Sequence, residues 1–598
     1  MINLIAKFFF ARGRRGRAIL VLLCVLTSLA SILEVTGILL IFPLIRLLHN
    51  SNFIHETPIL EHIYRALDFG HERYFVLAFG GLLLAVFVIK NLYITYVYFL
   101  QRRFARQGAA ELSHFLQRLY FKAPYIMLVN RNTSELLRNI RNVVPQVYFK
   151  VGLGVVNVIA DGVVVLGIGT ALLFIEPWAT LIVAIVVGVL YATQSYVFGS
   201  YLARWGAQAL RATRDGQRML SEAFRAFKEI RVLGREEHFL RTLDDIHRRE
   251  AVFAGNKQFL IETIRPMTEI VMLCGIFIVV ALVLLDNDPQ DSLPSLALFA
   301  VAGIRLVPTL NRLFRRLGDV RNGMPSVRKI LSEITRFEDQ DIPTKSQAGK
   351  LPFKDEIRIE NAKFRYPGNR HLTVKLTDAV IHRGQFVGIV GLSGVGKSTL
   401  MDLILGLLKP TTGRILIDGR DMAADTGAWQ NNIGYVPQNM FFVDDTVRRN
   451  VALGIPDDAI DDDRVYEVLA LASLGREGGH FPDGLDTLLG EHGVRISGGE
   501  RRRVGIARAL YHDPDVLVLD EATADLDNET ERAVIQTLQT MRGEKTIIMV
   551  AHRLRSVRDC DTLFFMKNGK IMDSGSFDEL YDRRPGFRRL VRLEGSHR

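Results

Sequence analysis

The chain has 598 residues, 48% hydrophobic and 23% charged, with 75 Lys+Arg against 64 Asp+Glu and a formal net charge of +11. That apolar content excludes a disordered chain, and 19 prolines are too few for a low-complexity one. The cysteines Cys24, Cys274 and Cys560 lie far apart and form no CxxC pair, which argues against a disulfide scaffold, a zinc site or an iron–sulfur site.

From Met1 to about Arg315 long apolar runs follow one another: Ala18–Phe42, Tyr74–Leu100, Val151–Phe174, Pro177–Phe198, Ile264–Leu285 and Leu293–Leu313. Each is near or above the roughly 20 residues that span a hydrocarbon core. Any one of them would also suit a buried helix of a soluble protein, but six in a row point to a membrane domain. The first is far longer than a signal-peptide core, and no small-residue cleavage site follows it. Between the first two, Ser51–Arg73 is expected to hold a short amphipathic helix carrying Ile59, Ile63 and Leu67.

Lys and Arg set the orientation. Lys7, Arg12, Arg14, Arg15 and Arg17 precede the first span, and the segments after the second and fourth spans are rich in Arg. The opposite connections, Glu176-Pro177 and Asp286–Asp291, contain no basic residue. Both termini are therefore expected in the cytoplasm. The positive balance is a topology signal that requires no nucleic acid. The long cytoplasmic connections, roughly Gln101–Lys150 and Tyr201–Lys257, imply helices reaching well beyond the bilayer, with turning points at Lys122–Tyr125 and Glu222–Glu236.

Charged residues inside spans are costly and therefore informative. Glu34 lies in the first span, Lys90 in the second, Glu262, Arg265 and Glu269 at the start of the fifth, and Arg305 in the sixth. They either pair with one another, as Glu269 could with Arg265 one turn away, or line a polar cavity for an anionic head group. Lys90 and Arg305 have no acidic residue within four positions, so local pairing does not account for them.

After about Arg336 the pattern changes. Residues 1–336 read as the membrane domain, 337–352 as a polar linker, and 353–598 as short β-branched runs alternating with helices, the pattern of a parallel α/β sheet. Phe386–Val390, Val516–Leu519 and Thr546–Val550 read as buried strands.

Between the first of these and a following helix stands Gly391-Leu-Ser-Gly-Val-Gly396-Lys397-Ser398, which fits GxxxxGK[ST] in the strand–loop–helix setting that motif needs. The loop residues Gly391, Ser393, Gly394 and Gly396, with Thr399 behind them, would wrap phosphates in backbone N–H groups. The helix N-terminus adds its dipole. Lys397 would neutralise the β/γ oxygens, and the Ser398 hydroxyl would ligate Mg²⁺. Asp520 and Glu521 end the strand Val516–Leu519, at the sheet edge where ligands sit. Asp520 is placed to hold the Mg²⁺ shell and Glu521 to polarise an attacking water. Ser497, Gly498 and Gly499 open a further helix, Arg501–Leu510, and offer free N–H groups to a second phosphate.

Together these residues give the half from Ile357 to about Glu579 its resemblance to the nucleotide-binding domain of ATP-binding-cassette (ABC) transporters, which implies ATP and Mg²⁺ as cofactors. By that resemblance Tyr366 stacks on adenine, Gln438 joins the γ-phosphate to Mg²⁺, His552 is the switch histidine, and Asp527 communicates across a dimer. Glu500 stands where the family usually has glutamine; its charge suits the helix dipole, as an N1 residue would, but would repel phosphate. Ala522–Asp527 also departs from the family's usual Ser-Ala-Leu-Asp.

Six spans fused ahead of one nucleotide domain resemble an exporter half-transporter. Thr487–Gly493 resembles the loop that precedes the signature in exporters, and Lys228–Gly234 resembles a coupling segment. A single chain holds one motif set, so the resemblance implies a dimer, and the intact set favours a homodimer. The membrane half, through Glu34–Pro43, Leu128–Ile140 and Arg305–Pro308, resembles the lipid-linked oligosaccharide flippases of bacterial glycosylation. This implies a protein of the bacterial inner membrane that moves an amphipathic, lipid-linked substrate, with Glu34, Lys90, Arg265 and Arg305 as candidate substrate residues. A peptide or hydrophobic small molecule is the alternative substrate. Glu521 weighs against an ATP-gated channel or regulator, and the spans exclude a soluble ABC ATPase acting on DNA or ribosomes.

Overall fold

The computed structural model describes residues 13–49, 54, 57–66, 71–129, 131–175, 177–284, 293–338, 349–475, 481–490, 493–521, 528–551 and 553–595. The chain forms two compact units, Met1–Arg118 with Thr133–Arg336, and Leu119–Asn132 with Phe337–Arg598.

In the first unit the apolar runs, where described, fall on helices: Gly13–Leu39 continued by Ile41–His49, Glu72–Lys122, Thr133–Phe174, Pro177–Arg225, Glu236–Leu284 and Leu293–Glu338. Among the described residues Ala18–Gly37, Glu72–Lys122 and Thr133–Phe174 are long and apolar enough to cross a membrane. The helix Glu72–Lys122 has 51 residues. At about 1.5 Å per residue it is more than twice as long as a hydrocarbon core of about 30 Å. The connections after the second and fourth runs are thus helical extensions of those runs, as their length implied, and Phe227–Leu233 forms a short helix at the second turning point.

Three local departures have physical causes. The first run stops at Leu39 and a new helix, Ile41–His49, begins, because Pro43 has no N–H to give the Leu39 carbonyl. The amphipathic helix forms as Pro58–Ala66, but its buried side carries Leu60, with Tyr64 edge-on to Phe75 at 5.5 Å, while Ile63 is exposed. An exposed apolar face of that kind suits a membrane interface. Leu67 lies outside the described residues. Pro145 removes one helical hydrogen bond, and the helix widens to π geometry on both sides of it, at Asn139–Val143 and Val147–Gly152. The second widened stretch carries Tyr148, whose ring lies against Gly108; a Cβ on that glycine would fall 2.3 Å from the ring.

In the second unit, strands β1 (Glu356–Phe364), β2 (Val374–Lys375), β3 (Ala379–His382), β5 (Thr412–Ile417) and β6 (Arg420–Asp421) form an antiparallel sheet. Strands β4 (Phe386–Val390), β7 (Ile433–Val436), β8 (Val516–Asp520), β9 (Thr546–Val550), β10 (Thr562–Lys567) and β11 (Lys570–Gly575) form the other, in the order β11-β10-β4-β9-β8-β7. All its pairings are parallel except β10–β11. Strands β4, β8 and β9 are buried along their whole length, as expected of a sheet covered on both faces. One core fills the space between the antiparallel sheet and the helix Lys397–Ile404. The segment Leu119–Asn132 belongs to this unit: Ile126 packs on that same core, and Tyr120 and Arg131 both meet Phe337, at 5.3 Å each.

Candidate nucleotide site and the membrane charge clusters

The phosphate loop runs from the end of β4 into the helix Lys397–Ile404. Gly394 and Gly396 take left-handed φ values of 77° and 101°. At Gly396 a side chain is also excluded by space, since a Cβ would meet Val374 Cγ1 at 2.7 Å. Lys397 is buried, and its Nζ donates to the carbonyls of Gly391 (2.7 Å) and Leu392 (3.3 Å). Burial lowers its pKa, while Glu521 and Asp520 pull the other way. Ser393 and Ser398 are exposed and Thr399 is buried, with its Oγ1 3.4 Å from the hydroxyl of Tyr366. Tyr366 is half-buried and packs edge-on to Phe364 at 4.9 Å.

Asp520 ends β8 in a buried position, paired in register with Val550. The next residue, Glu521, sits at φ 52°, a region a non-glycine residue occupies only at a cost of about 1–3 kcal/mol. Its N–H bonds the Val550 carbonyl at 3.1 Å, its own carbonyl accepts from Arg502 Nη1 at 2.6 Å, and its Oε2 accepts from Gln438 Nε2 at 2.6 Å. Strained backbone held from both sides is a mark of a functional position. Gln438 and Glu521 are thereby in contact, across 83 residues of sequence. Asp527 and His552 lie outside the described residues. The residue after His552 is described: Arg553 Nη1 lies 3.1 Å from Glu531 Oε2, and Ser556 Oγ donates to the other oxygen of that buried carboxylate.

The signature helix starts three residues earlier than expected, at Gly498. Ser497 is its N-cap, so Glu500 is the third helical residue and closes a capping box. Glu500 Oε2 accepts from the Ser497 N–H and hydroxyl, both at 2.8 Å, and Ser497 Oγ accepts from Glu500 N at 3.2 Å. The expected N1 role of Glu500 is therefore replaced by a reciprocal cap, because a free N-cap hydroxyl and a carboxylate three residues on bond each other.

Sequence reasoning missed several residues here. Arg502, Glu531 and Asp402 belong to no short motif. Asp402 lies on the helix behind the phosphate loop, where burial and the neighbouring Asp520 push its pKa up to about 6. Tyr435 and Tyr125 are raised as well, first by burial, then Tyr435 by Asp520 and Asp402 and Tyr125 by Asp402.

In the membrane unit Arg305 Nη1 lies 3.2 Å from Glu34 Oε1, so the pair that no local spacing allowed is made between the first and sixth runs. Lys90 is 3% exposed, with its Nζ 4.2 Å from the Phe87 ring centroid. Its side chain passes Gly37, one turn beyond Glu34. Glu262 accepts from Gln258 Nε2 at 2.7 Å. The side chain of Arg265 lies outside the described residues. A second cluster was not foreseen: Asp161, on the third run, takes Arg316 and Arg312 of the sixth-run helix.

Comparison with known proteins decides what this arrangement is. Residues 374–524 match the family model described as ABC transporter, and residues 57–302 match the one described as ABC transporter transmembrane region. The chain belongs to the ABC transporters. It is a half-transporter, one membrane domain followed by one ATP-binding domain, and an ATP hydrolase coupled to transmembrane transport. Among its relatives is an ATP-dependent lipid A-core flippase of Ralstonia nicotianae, 28% identical over 446 residues, 73% of this chain and 74% of that one. Another is the putative multidrug export ATP-binding/permease protein YgaD of Bacillus subtilis, 27% identical over 476 residues, 78% and 80% of the two chains. A solved structure of a bacterial Atm1-family ABC exporter with ATP bound superimposes with a TM-score of 0.76 at 20% identity, covering 96% of this chain and 97% of that one, and shows the exporter fold.

Proposed function

We propose that two copies of this half-transporter form a homodimer in the bacterial inner membrane and use ATP to flip a lipid-linked oligosaccharide or related glycolipid. ATP-driven export of an amphipathic substrate is the function its relatives support. The observation that carries the finer reading is the Glu34–Arg305 pair with Lys90 buried beside it, two cations to one carboxylate among the described residues of that cluster. Charge in such a place marks a substrate path, and a phosphate or diphosphate bears the complementary sign. The multidrug name of one relative fits the alternative, a hydrophobic small molecule, but such a substrate gives no use for that surplus charge.

At the nucleotide, phosphate-loop N–H groups and Lys397 hold the β- and γ-phosphates, with Tyr366 against the base. Glu521, held by Gln438 and Arg502, orients the attacking water. Ser398, Gln438 and Asp520 offer hydroxyl, amide and carboxylate oxygens, the hard donors that suit Mg²⁺. Mg²⁺ is usually held by one or two protein oxygens together with substrate phosphates, and this donor set fits that pattern. Bound Mg²⁺ would neutralise charge on the phosphates. His552 and Asp527 complete the site, and Ser497, Gly498 and Gly499 serve the partner copy's nucleotide. Both termini and the nucleotide domain lie in the cytoplasm, by the distribution of Lys and Arg.

The test is ATPase stimulation in the purified full chain. A lipid-linked oligosaccharide should raise turnover, dyes and peptides should not, and Arg305→Ala should raise the half-stimulating concentration about tenfold or more. Equal stimulation by neutral dyes, insensitive to Arg305→Ala, would overturn this substrate assignment.

A further inference from the structure

Arg305, Arg312 and Arg316 are seven and four residues apart on the helix Leu293–Glu338. At about 100° per residue these spacings put all three on one stripe, with Arg312 about 10 Å along the axis from Arg305. Arg305 belongs to the cluster with Glu34 and Lys90. The other two face Asp161, whose side chain is only 7% exposed. Arg316 Nη1 makes the close contact, to Asp161 Oδ2 at 2.5 Å, and also donates to the Asn157 carbonyl at 3.2 Å. Arg312 is held more loosely. Its Nε is 3.7 Å from Asp161 Oδ1, beyond hydrogen-bond length, and its Nη2 donates to Thr309 Oγ1 at 2.8 Å. Thr309 is fully buried and donates in turn to the Arg305 carbonyl at 2.8 Å. Ion pairs and hydrogen bonds, one of them through the Arg305 backbone carbonyl, thus line up Glu34, Arg305, Thr309, Arg312, Asp161 and Arg316 across the first, third and sixth runs.

An ion pair with one cation per carboxylate balances its own charge. Here two guanidinium groups share one carboxylate, so the cluster keeps a surplus positive charge. It falls to Arg312, the more exposed of the two at 34% against 20%. An arginine has five N–H donors in a planar fork that matches phosphate oxygens, and most of those on Arg312 are not used by Asp161 or Thr309.

We propose that Asp161, Arg312 and Arg316 form a second anion station on the substrate path, in which Asp161 is a built-in counter-ion. The substrate's phosphate or diphosphate takes Arg312 from Asp161, which stays with Arg316, and then passes one stripe position on to Arg305 and Lys90. This rests on the anionic-substrate reading given above. The competition by Asp161 lets the head group leave: a station of two unopposed arginines would hold it too tightly for transport.

The sign of one substitution tests this. Using farnesyl diphosphate as the probe and neutral farnesol as the control, the half-stimulating concentration for ATPase is measured on the full chain in neutral-lipid nanodiscs. Asp161→Asn should lower that concentration about threefold or more, because the competing charge is gone, and Asp161→Glu should leave it near the wild-type value. Arg312→Gln should raise it by a similar factor. A merely structural Asp161 gives the opposite pattern, a lower thermal transition with no gain in apparent affinity, and that result overturns the proposal. If Asp161→Asn does not fold, an unchanged midpoint in Arg312→Gln overturns it equally. A shift in Arg305→Ala alone would sink this station and leave the substrate reading standing. No response to the diphosphate in any variant would sink both. Free pyrophosphate at matched free Mg²⁺ separates recognition of the phosphate group from recognition of the lipid that bears it; whichever source is bound, Asp161→Asn must bind it more tightly.

Discussion

The two halves of the chain hold their functional charges by different means. In the nucleotide-binding half the charges ride on backbone geometry: Lys397 follows Gly396 at φ 101°, and Glu521 sits at φ 52° directly after a fully buried strand. In the membrane half they ride on ordinary helices and are placed by partners far away in sequence, Glu34 and Arg305 271 residues apart, Asp161 and Arg316 155 residues apart. Local geometry imposes a residue order that recurs as a motif, whereas a pair closed by helix packing leaves no spacing to read. The first arrangement suits chemistry that must be held to fractions of an ångström. The second suits a path whose partners exchange.

Substitutions can break that contrast. The largest effect is expected at the strained carboxylate. Glu521→Gln keeps the shape but loses the base, so turnover should fall about 10²-fold or more, with ATP trapped between two subunits. Wild-type turnover in that variant would remove Glu521 from its role. Next is Glu531, which holds Arg553 and Ser556 just after His552. Glu531→Ala should lower kcat about tenfold with a smaller change in KM, the pattern of a displaced catalytic segment, and Glu531→Gln should recover part of it. A loss of thermal stability with kcat unchanged would make it a plain structural pair.

A smaller effect sharpens the comparison through pH. The Asp402 carboxyl titrates near 6 in the folded chain, above its unfolded value, so the folded state holds the proton more strongly. Its contribution to stability is complete below about pH 4 and is lost as the pH rises through about 6. Asp402→Asn should therefore match wild type at pH 4. By pH 7 it should gain a few degrees of thermal stability, the group being only partly buried. A gain that is the same at both pH values would contradict this. The smallest change is expected at Glu500→Gln. Glutamine also closes a capping box, so ATPase activity should stay within about threefold of wild type. A large rise would show that the charge at this position holds the rate down.

These effects follow how legible each half was. The phosphate loop was readable because strand, loop and helix follow one another without interruption, and Asp520 and Glu521 because they come at the end of a buried strand. Glu500 was readable as a helix-start residue but not as a cap partner, since that depends on where Ser497 leaves the helix. Glu531 and Arg502 were unreadable: each acts on a segment about 20 residues away through a contact that only the fold closes. In the membrane half Glu34, Lys90 and Arg305 stood out as charges in apolar runs, but their long-range pairing did not. Asp161 was passed over in the third run, although it is a carboxylate in an apolar segment like Glu34. Its partners Arg312 and Arg316 sit at the end of the sixth run, where the sequence turns basic and no spacing ties them to a carboxylate on the third run.

Under the proposed function, ATP hydrolysis moves a lipid-linked glycan between leaflets. The direct measurement is translocation in proteoliposomes of the full chain, with a fluorescent lipid-linked oligosaccharide and an impermeant quencher reporting its leaflet. Transfer that requires ATP, stops with vanadate and is lost in Glu521→Gln is the predicted result. Vanadate-sensitive ATP hydrolysis by the same vesicles, with the glycan staying in its original leaflet, would contradict the account.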